Sequence, residues 1–187
     1  MSLSSNIAKI FERVVRKTVV KHLESKNLLN NDQHGFRQGR SCLSQLLAHI
    51  DKVTDKVIEE GNADVVYLDF QKAFDKCDHN LLKHKLKEVK IKGNMGVWLS
   101  NFLQERLQRV KVGKKRSKMS KVISGVPQGT VLGSMIFLIL INNINNSVNK
   151  DIVSTGIFAD NTRLTAKISN ESDVENFQEE LKKIYRW

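Results

Sequence analysis

Proline is almost missing, with one in 187 residues, so no proline-rich linker divides the chain. Cysteine is nearly as scarce. Cys42 and Cys77 stand far apart without C-x-x-C spacing, which excludes a cysteine zinc site and a disulfide framework and fits a reducing, intracellular setting, nuclear or cytoplasmic. Long apolar runs are absent too. The longest, Met135 to Ile141, falls far short of the ~18 residues that span a bilayer, and no secretory n-region and h-region opens the sequence, so no membrane partner is expected. His22, His34, His49, His79 and His84 show no H-E-x-x-H or other metal spacing, and no Ser/His/Asp set can be picked out. There is no internal repeat and no low-complexity tract.

What is present is ordinary globular composition, 40% hydrophobic and 27% charged, with enough length for one substantial core. The net charge of +11 is concentrated. Lys83 to Lys121 holds 13 basic and 2 acidic residues, which accounts for the whole excess and leaves the remainder neutral. Such a block attracts polyanions, nucleic acid first, because neutralising phosphates releases condensed counterions. A lysine-rich solvated face is the plainer alternative.

Periodicity predicts a mixed α+β domain. Ile7, Ile10, Phe11, Val14, Val15, Val19 and Leu23 follow helical spacing, as do Leu43, Leu46, Leu47, Ile50, Val53 and Val57 before a stop at Gly61. Asn30 to Arg40, rich in Asn, Gly and Arg, reads as a loop or short hairpin. Ala63 to Phe70 reads as a buried strand delivering Asp69 near its end. Asp78 is placed to cap a helix carrying Leu81, Leu82, Leu86 and Val89, and a second helix through Val97, Trp98, Phe102 and Leu103 follows a glycine break. Leu107 to Val112 and Lys118 to Ile123 read as a hairpin with a basic tip around Gly113. Val131 to Val148 reads as one helix, Ile152 to Ala159 and Arg163 to Ile168 as strands joined at Asp160 and Asn161, and Glu171 to Trp187 as an acidic amphipathic helix.

Two aspartates each end an apolar strand, Asp69 after Val65-Val66-Tyr67-Leu68 and Asp160 after Ile157-Phe158-Ala159. On adjacent strands the two carboxylates meet at one sheet edge, an arrangement that suits a hard divalent cation such as Mg²⁺. Either one alone is more often a turn residue. In His34 to Ser41, glycines allow close backbone approach and Arg37 and Arg40 can grip phosphate oxygens; a tight turn with solvated arginines explains the segment about as well. Gly125-Val126-Pro127-Gln128-Gly129 sets a turn before an apolar helix and leaves Gln128 able to present its amide to a ligand, or incidental.

Taken in order, HGFRQGRS (His34 to Ser41), VYLDFQKAFDKCDH (Val66 to His79), SGVPQGTVLG (Ser124 to Gly133) and FADNTRL (Phe158 to Leu164) resemble the reverse transcriptases of non-LTR retrotransposons, especially jockey and CR1 type elements. The similarity covers essentially the whole chain, from Ser2 to Val15 onward. It implies an RNA-directed DNA polymerase built as fingers and palm, with a small antiparallel palm sheet flanked by helices. Segments 1–60 and about 81–121 are expected to be fingers-like and connecting, and about 61–80 and 122–187 palm-like. By the resemblance, Asp69 and Asp160 hold Mg²⁺, or Mn²⁺, in a two-metal transfer of dNTP to a primer 3′-hydroxyl. Phe74 excludes the ribose 2′-hydroxyl, Gln128 contacts the incoming nucleotide, and Arg37 and Arg40 hold its triphosphate. The basic hairpin residues Lys111, Lys114, Lys115, Arg116 and Lys118 are the expected contacts to RNA template and DNA primer.

The departures point the other way. Asn161 stands where the family has a second consecutive aspartate, Leu132-Gly133-Ser134 replaces Leu-Gly-Pro, and Asn143 falls where Ile-Asn-Asp is common. The similarity stops at Trp187, before the family's primer grip and thumb, and nothing matches an endonuclease. The expectation is a partial, degenerate fingers-and-palm domain, weakly active or inactive, unless another chain supplies a thumb. The alternatives are a non-catalytic nucleic-acid-binding protein of retrotransposon origin and a relic without a specific role.

Overall fold

The computed structural model describes residues 5–187, so Ser2 to Ser4 of the first matched segment lie outside it. The chain divides into two compact units, one taking in the chain up to Leu28 together with Lys72–Leu140, the other Leu29–Gln71 with Ile141–Trp187.

In the first unit, helix α1 (Asn6–Ser25) starts where the Ser5 hydroxyl accepts from the Ala8 N–H at 3.2 Å. It buries Glu12, Val15, Val19 and Leu23, one stripe at helical spacing. A glutamate in that stripe has a specific reason. The Glu12 carboxylate accepts from the Val131 and Leu132 N–H groups at 2.8 and 3.1 Å, capping helix α5 (Val131–Ile141) with charge at its N-terminus. Helix α5 is apolar on every side and mostly buried, as such a helix must be. Helix α3 (His79–Glu88) is capped by Asp78, which accepts from the Asn80 N–H at 2.8 Å, and packs on α4 (Gly93–Leu103). Leu82, Leu86, Leu99, Leu103, Leu132 and Ile136 form the core.

The basic hairpin exists but is not continuous. Strands β2 (Leu107–Gln108) and β5 (Ser120–Lys121) pair, as do β3 (Lys111–Val112) and β4 (Lys115–Arg116). Between them the Val110 N–H bonds the Ser117 hydroxyl at 2.9 Å instead of a partner carbonyl. All these strand residues are exposed, so no buried face enforces regular pairing.

In the second unit, helix α2 (Cys42–Glu60) begins with a reciprocal Ser41/Ser44 capping box and stops at Gly61, whose φ is 87°. It packs across a three-stranded antiparallel sheet of order β1 (Ala63–Leu68), β7 (Asn161–Lys167), β6 (Val153–Phe158). Helix α6 (Glu171–Arg186), capped by Asn170, closes the unit.

Two expectations are corrected here. The expected helix from Val131 to Val148 ends at Ile141 and is followed by a single 3₁₀ turn at Ile144–Asn146. Asparagine side chains compete for the backbone. Asn142 Oδ1 accepts from the Asn30 N–H at 2.8 Å, and the Asn145 amide donates to Asn30 Oδ1 and Asp32 Oδ2 at 2.8 and 3.0 Å. The β6–β7 connection also sits one residue earlier than expected. Phe158 pairs with Asn161, so Ala159 and Asp160 form the two-residue turn and Asn161 is the first residue of β7.

Candidate active site

The antiparallel register decides what the strand-end aspartates can do together. Leu68 pairs with Thr162, so Asp69, one residue further, comes opposite Asn161 at the sheet edge where the Ala159-Asp160 turn also lies. Asp69 and Asn161 are exposed and Asp160 is half-buried. Asp69, Asn161, Tyr67, Phe158 and Arg163 help line a cavity of about 260 Å³. Arg163 is oriented by a bond to the Gln45 carbonyl at 3.3 Å and by its position 5.9 Å from the centre of the Tyr67 ring. Among the described residues no three His, Cys, Asp or Glu side chains gather as a metal cage. Two carboxylates and an amide oxygen at an exposed sheet edge are nonetheless the hard oxygen donors that Mg²⁺ takes, because that ion keeps several of its waters.

The turn itself is unusual. Ala159 has φ 55°, left-handed backbone that glycine adopts freely and alanine rarely does. It is held by the segment that begins the arginine loop. His34 donates its N–H to the Ile157 carbonyl and Ile157 donates to the Asp32 carbonyl, both at 2.9 Å, so residues 32–34 run parallel to β6. Asp32 is anchored by Lys52, Thr155 and Asn145, at 3.1, 2.7 and 3.0 Å. Burial alone pushes the Asp32 carboxyl up, but the Thr155 hydroxyl, Lys52 and Asn145 together hold it below its ordinary value. Burial, with Arg40 and Arg37 nearby, also lowers the His34 imidazole from its ordinary value, which favours the neutral ring at pH 7.

Arg37 and Arg40 each brace this loop through one guanidinium nitrogen. Arg37 Nη1 donates to the Asn30 carbonyl at 2.8 Å, and Arg40 Nη1 donates to the Asn31 carbonyl.

Phe74 and Gln128 belong to the other unit. There the two motifs that carry them are joined through backbone: Val126 N–H donates to the Phe74 carbonyl at 2.7 Å and Gly125 N–H to the Cys77 carbonyl at 2.8 Å. Gly125 has φ 85°, and a Cβ on it would fall 2.7 Å from the Asp75 carbonyl oxygen, so glycine is required. Its own carbonyl accepts from His79 Nε2 at 2.8 Å and Arg106 Nη2 at 2.6 Å. The Phe74 ring stacks on Phe137 with centroids 4.3 Å apart and 19° between planes. Gln128 is exposed beyond the buried Gly125-Val126-Pro127. Lys111, Lys114, Lys115, Arg116 and Lys118 are all exposed on the hairpin.

Sequence reasoning missed Glu12, Gln33, His79 and Arg106, whose roles are to bond backbone groups distant in sequence. Glu12 and His79 lie inside the matched segments, Arg106 inside the basic block and Gln33 immediately before the HGFR segment, but none of these positions signals its distant backbone partner. Among the described residues no helix is long and apolar enough to cross a membrane.

A strand-end aspartate thus lies beside a turn that carries a second one, inside a mixed antiparallel α+β fold. Residues 1–187 match the family "Reverse transcriptase (RNA-dependent DNA polymerase)", and the chain belongs to that family. It is 30% identical over 137 residues to the probable RNA-directed DNA polymerase from transposon BS of Drosophila melanogaster, covering 73% of this chain and 15% of that protein. It is 26% identical over 192 residues to the RNA-directed DNA polymerase from the mobile element jockey of the same fly, covering 100% of this chain and 21% of the relative. The chain thus spans about a fifth or less of the curated relatives it matches. Among solved structures, apo telomerase from Candida tropicalis superposes with a TM-score of 0.66 over 91% of this chain and 36% of its own, at 12% identity. Telomerase from Candida albicans, in complex with a fragment of telomeric RNA, gives 0.65 over 92% of this chain and 32% of its own, also at 12% identity. These last two establish a shared fold.

Proposed function

We propose that this chain is the fingers-and-palm portion of an RNA-directed DNA polymerase, with Asp69 and Asp160 as ligands of Mg²⁺, or Mn²⁺, and with little or no DNA synthesis of its own because Asn161 replaces a carboxylate. The observation that carries this reading is the register that brings Asp69 opposite Asn161, next to the Asp160 turn. When bound, the divalent ions lower the cost of charge on the attacking primer oxygen and on the leaving pyrophosphate. The chain's own residues do the positioning. By the family resemblance Arg37 and Arg40 would orient the triphosphate, Gln128 would contact the nucleotide, and Phe74, whose ring stacks on Phe137, would exclude a 2′-hydroxyl. Lys111, Lys114, Lys115, Arg116 and Lys118 grip template and primer phosphates.

Asn161 keeps the size of aspartate and removes one charge. A unit charge ~4 Å from a divalent ion is worth roughly 8 kcal/mol at an effective dielectric near 20, a ceiling that a replacing water reduces greatly. Even ~3 kcal/mol lost at the transition state slows the reaction about a hundredfold. The test is primer extension on an RNA template with Mg²⁺ and with Mn²⁺, beside Mn²⁺ binding followed by electron paramagnetic resonance. The unmodified chain should extend negligibly, Asn161→Asp should tighten Mn²⁺ at least about tenfold, and Asp69→Asn should abolish that gain. Robust extension by the unmodified chain overturns the inactive reading, and Mn²⁺ affinity indifferent to both changes overturns the site. A second reading, a non-catalytic nucleic-acid-binding protein, is favoured by Asn161 together with the exposed basic hairpin; it predicts salt-dependent RNA binding with no extension even after Asn161→Asp.

A further inference from the structure

We infer that Gln33 is the positioning residue of the β6–β7 turn, holding Ala159 in its left-handed conformation and thereby fixing the direction of the neighbouring Asp160 carboxylate. The role for Asp160 rests on the polymerase reading above; the clamp itself rests on geometry. Gln33 is 4% exposed. Its Nε2 donates to the Ala159 carbonyl at 3.1 Å, and its Oε1 accepts from the Ala159 N–H at 2.9 Å and the Gly35 N–H at 2.7 Å. One amide therefore satisfies both backbone groups of a single buried residue, whose φ is 55°. Two-residue hairpin turns that need a positive φ at their first position normally place glycine there. Alanine has no such freedom, so its conformation must be over-determined from outside, and strain of this kind collects where a functional side chain has to be aimed. The approach is close enough to dictate Gly35 as well: a Cβ there would lie 2.3 Å from the Ala159 nitrogen.

The test is NMR on the whole chain. In Gln33→Leu the Ala159 and Gly35 amides should exchange with solvent at least about tenfold faster, while the ladder amides of Leu164 and Val66 change less than about twofold. Gln33→Glu keeps the acceptor but cannot donate while ionised; a protonated carboxyl donates and accepts as the amide does. Its Ala159 and Asp160 chemical shifts should therefore return towards the wild-type values as pH falls, a recovery Gln33→Leu cannot make. Ala159→Gly removes the conformational demand, so adding Gln33→Leu to it should perturb Asp160 far less than Gln33→Leu alone. Equal acceleration across all amides would overturn the proposal by making Gln33 a general core residue, as would failure of Ala159→Gly to relieve the effect. Mn²⁺ broadening of the Asp69 and Asp160 signals separates the two readings. If the wild type shows none, the metal reading fails while the exchange pattern still decides the clamp; if it is present and unchanged in Gln33→Leu, the positioning role is overturned.

Discussion

Glu12 offers the sharpest energetic test of the fold. Glu12 is 4% exposed, and its carboxylate accepts two N–H groups at the start of α5, at 2.8 and 3.1 Å. Glu12→Ala strands both donors, and Leu132 is fully buried, so water cannot replace the cap without opening the unit. A hydrogen bond to a charged group contributes about 1.5–3 kcal/mol, and two that share one acceptor, with the helix-terminus attraction included, sum to roughly 3–5 kcal/mol. Glu12→Gln retains an acceptor and loses only the charge, so about 1–2 kcal/mol is expected. Against a total of about 5–15 kcal/mol, the alanine variant is severe and the glutamine variant tolerable. Urea unfolding followed by Trp98 fluorescence, in a Trp187→Phe background so that only the α4 tryptophan reports, measures both. With a slope near ~2 kcal/mol per molar, Glu12→Ala should lower the midpoint by roughly 1.5–2.5 M. A loss below about 1 kcal/mol, or equal losses for alanine and glutamine, would refute the argument that the paired acceptor is what Glu12 contributes.

Charge reversal of Lys114, Lys115 and Arg116 should lower the salt slope of RNA binding by about 2–3 if the hairpin tip touches phosphates, and an unchanged slope would return the tip to solvent. Cys77 is half-buried, donates to the Ala73 carbonyl at 3.1 Å and has its thiol pushed up to about 11 by burial, so iodoacetamide at pH 8 should label the exposed Cys42 first, as mass spectrometry of peptides would reveal. The Asp32 carboxyl is held below its ordinary value of 3.8, so its contribution to stability is complete above that pH and is lost as pH falls through the lower folded value. Asp32→Asn should therefore flatten the acid limb of a stability-against-pH curve at that end only; the same flattening at neutral pH would contradict the assignment.

Local chemistry was legible in the sequence because it is short-range: Asp78 caps the helix beside it, and the apolar spacing of α1, α2 and α6 marks their extent. The strand-end positions of Asp69 and Asp160 were legible for the same reason, as apolar runs interrupted by a carboxylate. Even the family resemblance is a property of short ordered segments. The tertiary structure decided the rest. Nothing near Val131 announces that a glutamate more than a hundred residues away will cap it, and the asparagines after Ile141 end their helix because Asn30 and Asp32 are there to bond them. The same holds at the site. That the turn is Ala159-Asp160 and not Asp160-Asn161 follows from register, which period-2 alternation leaves free by one residue until a buried face and a clamp select it. Gln33 looks like any polar loop residue in sequence; it becomes the holder of a strained turn only when residues 32–34 lie along β6, because a backbone hydrogen bond carries no side-chain signature of its partner.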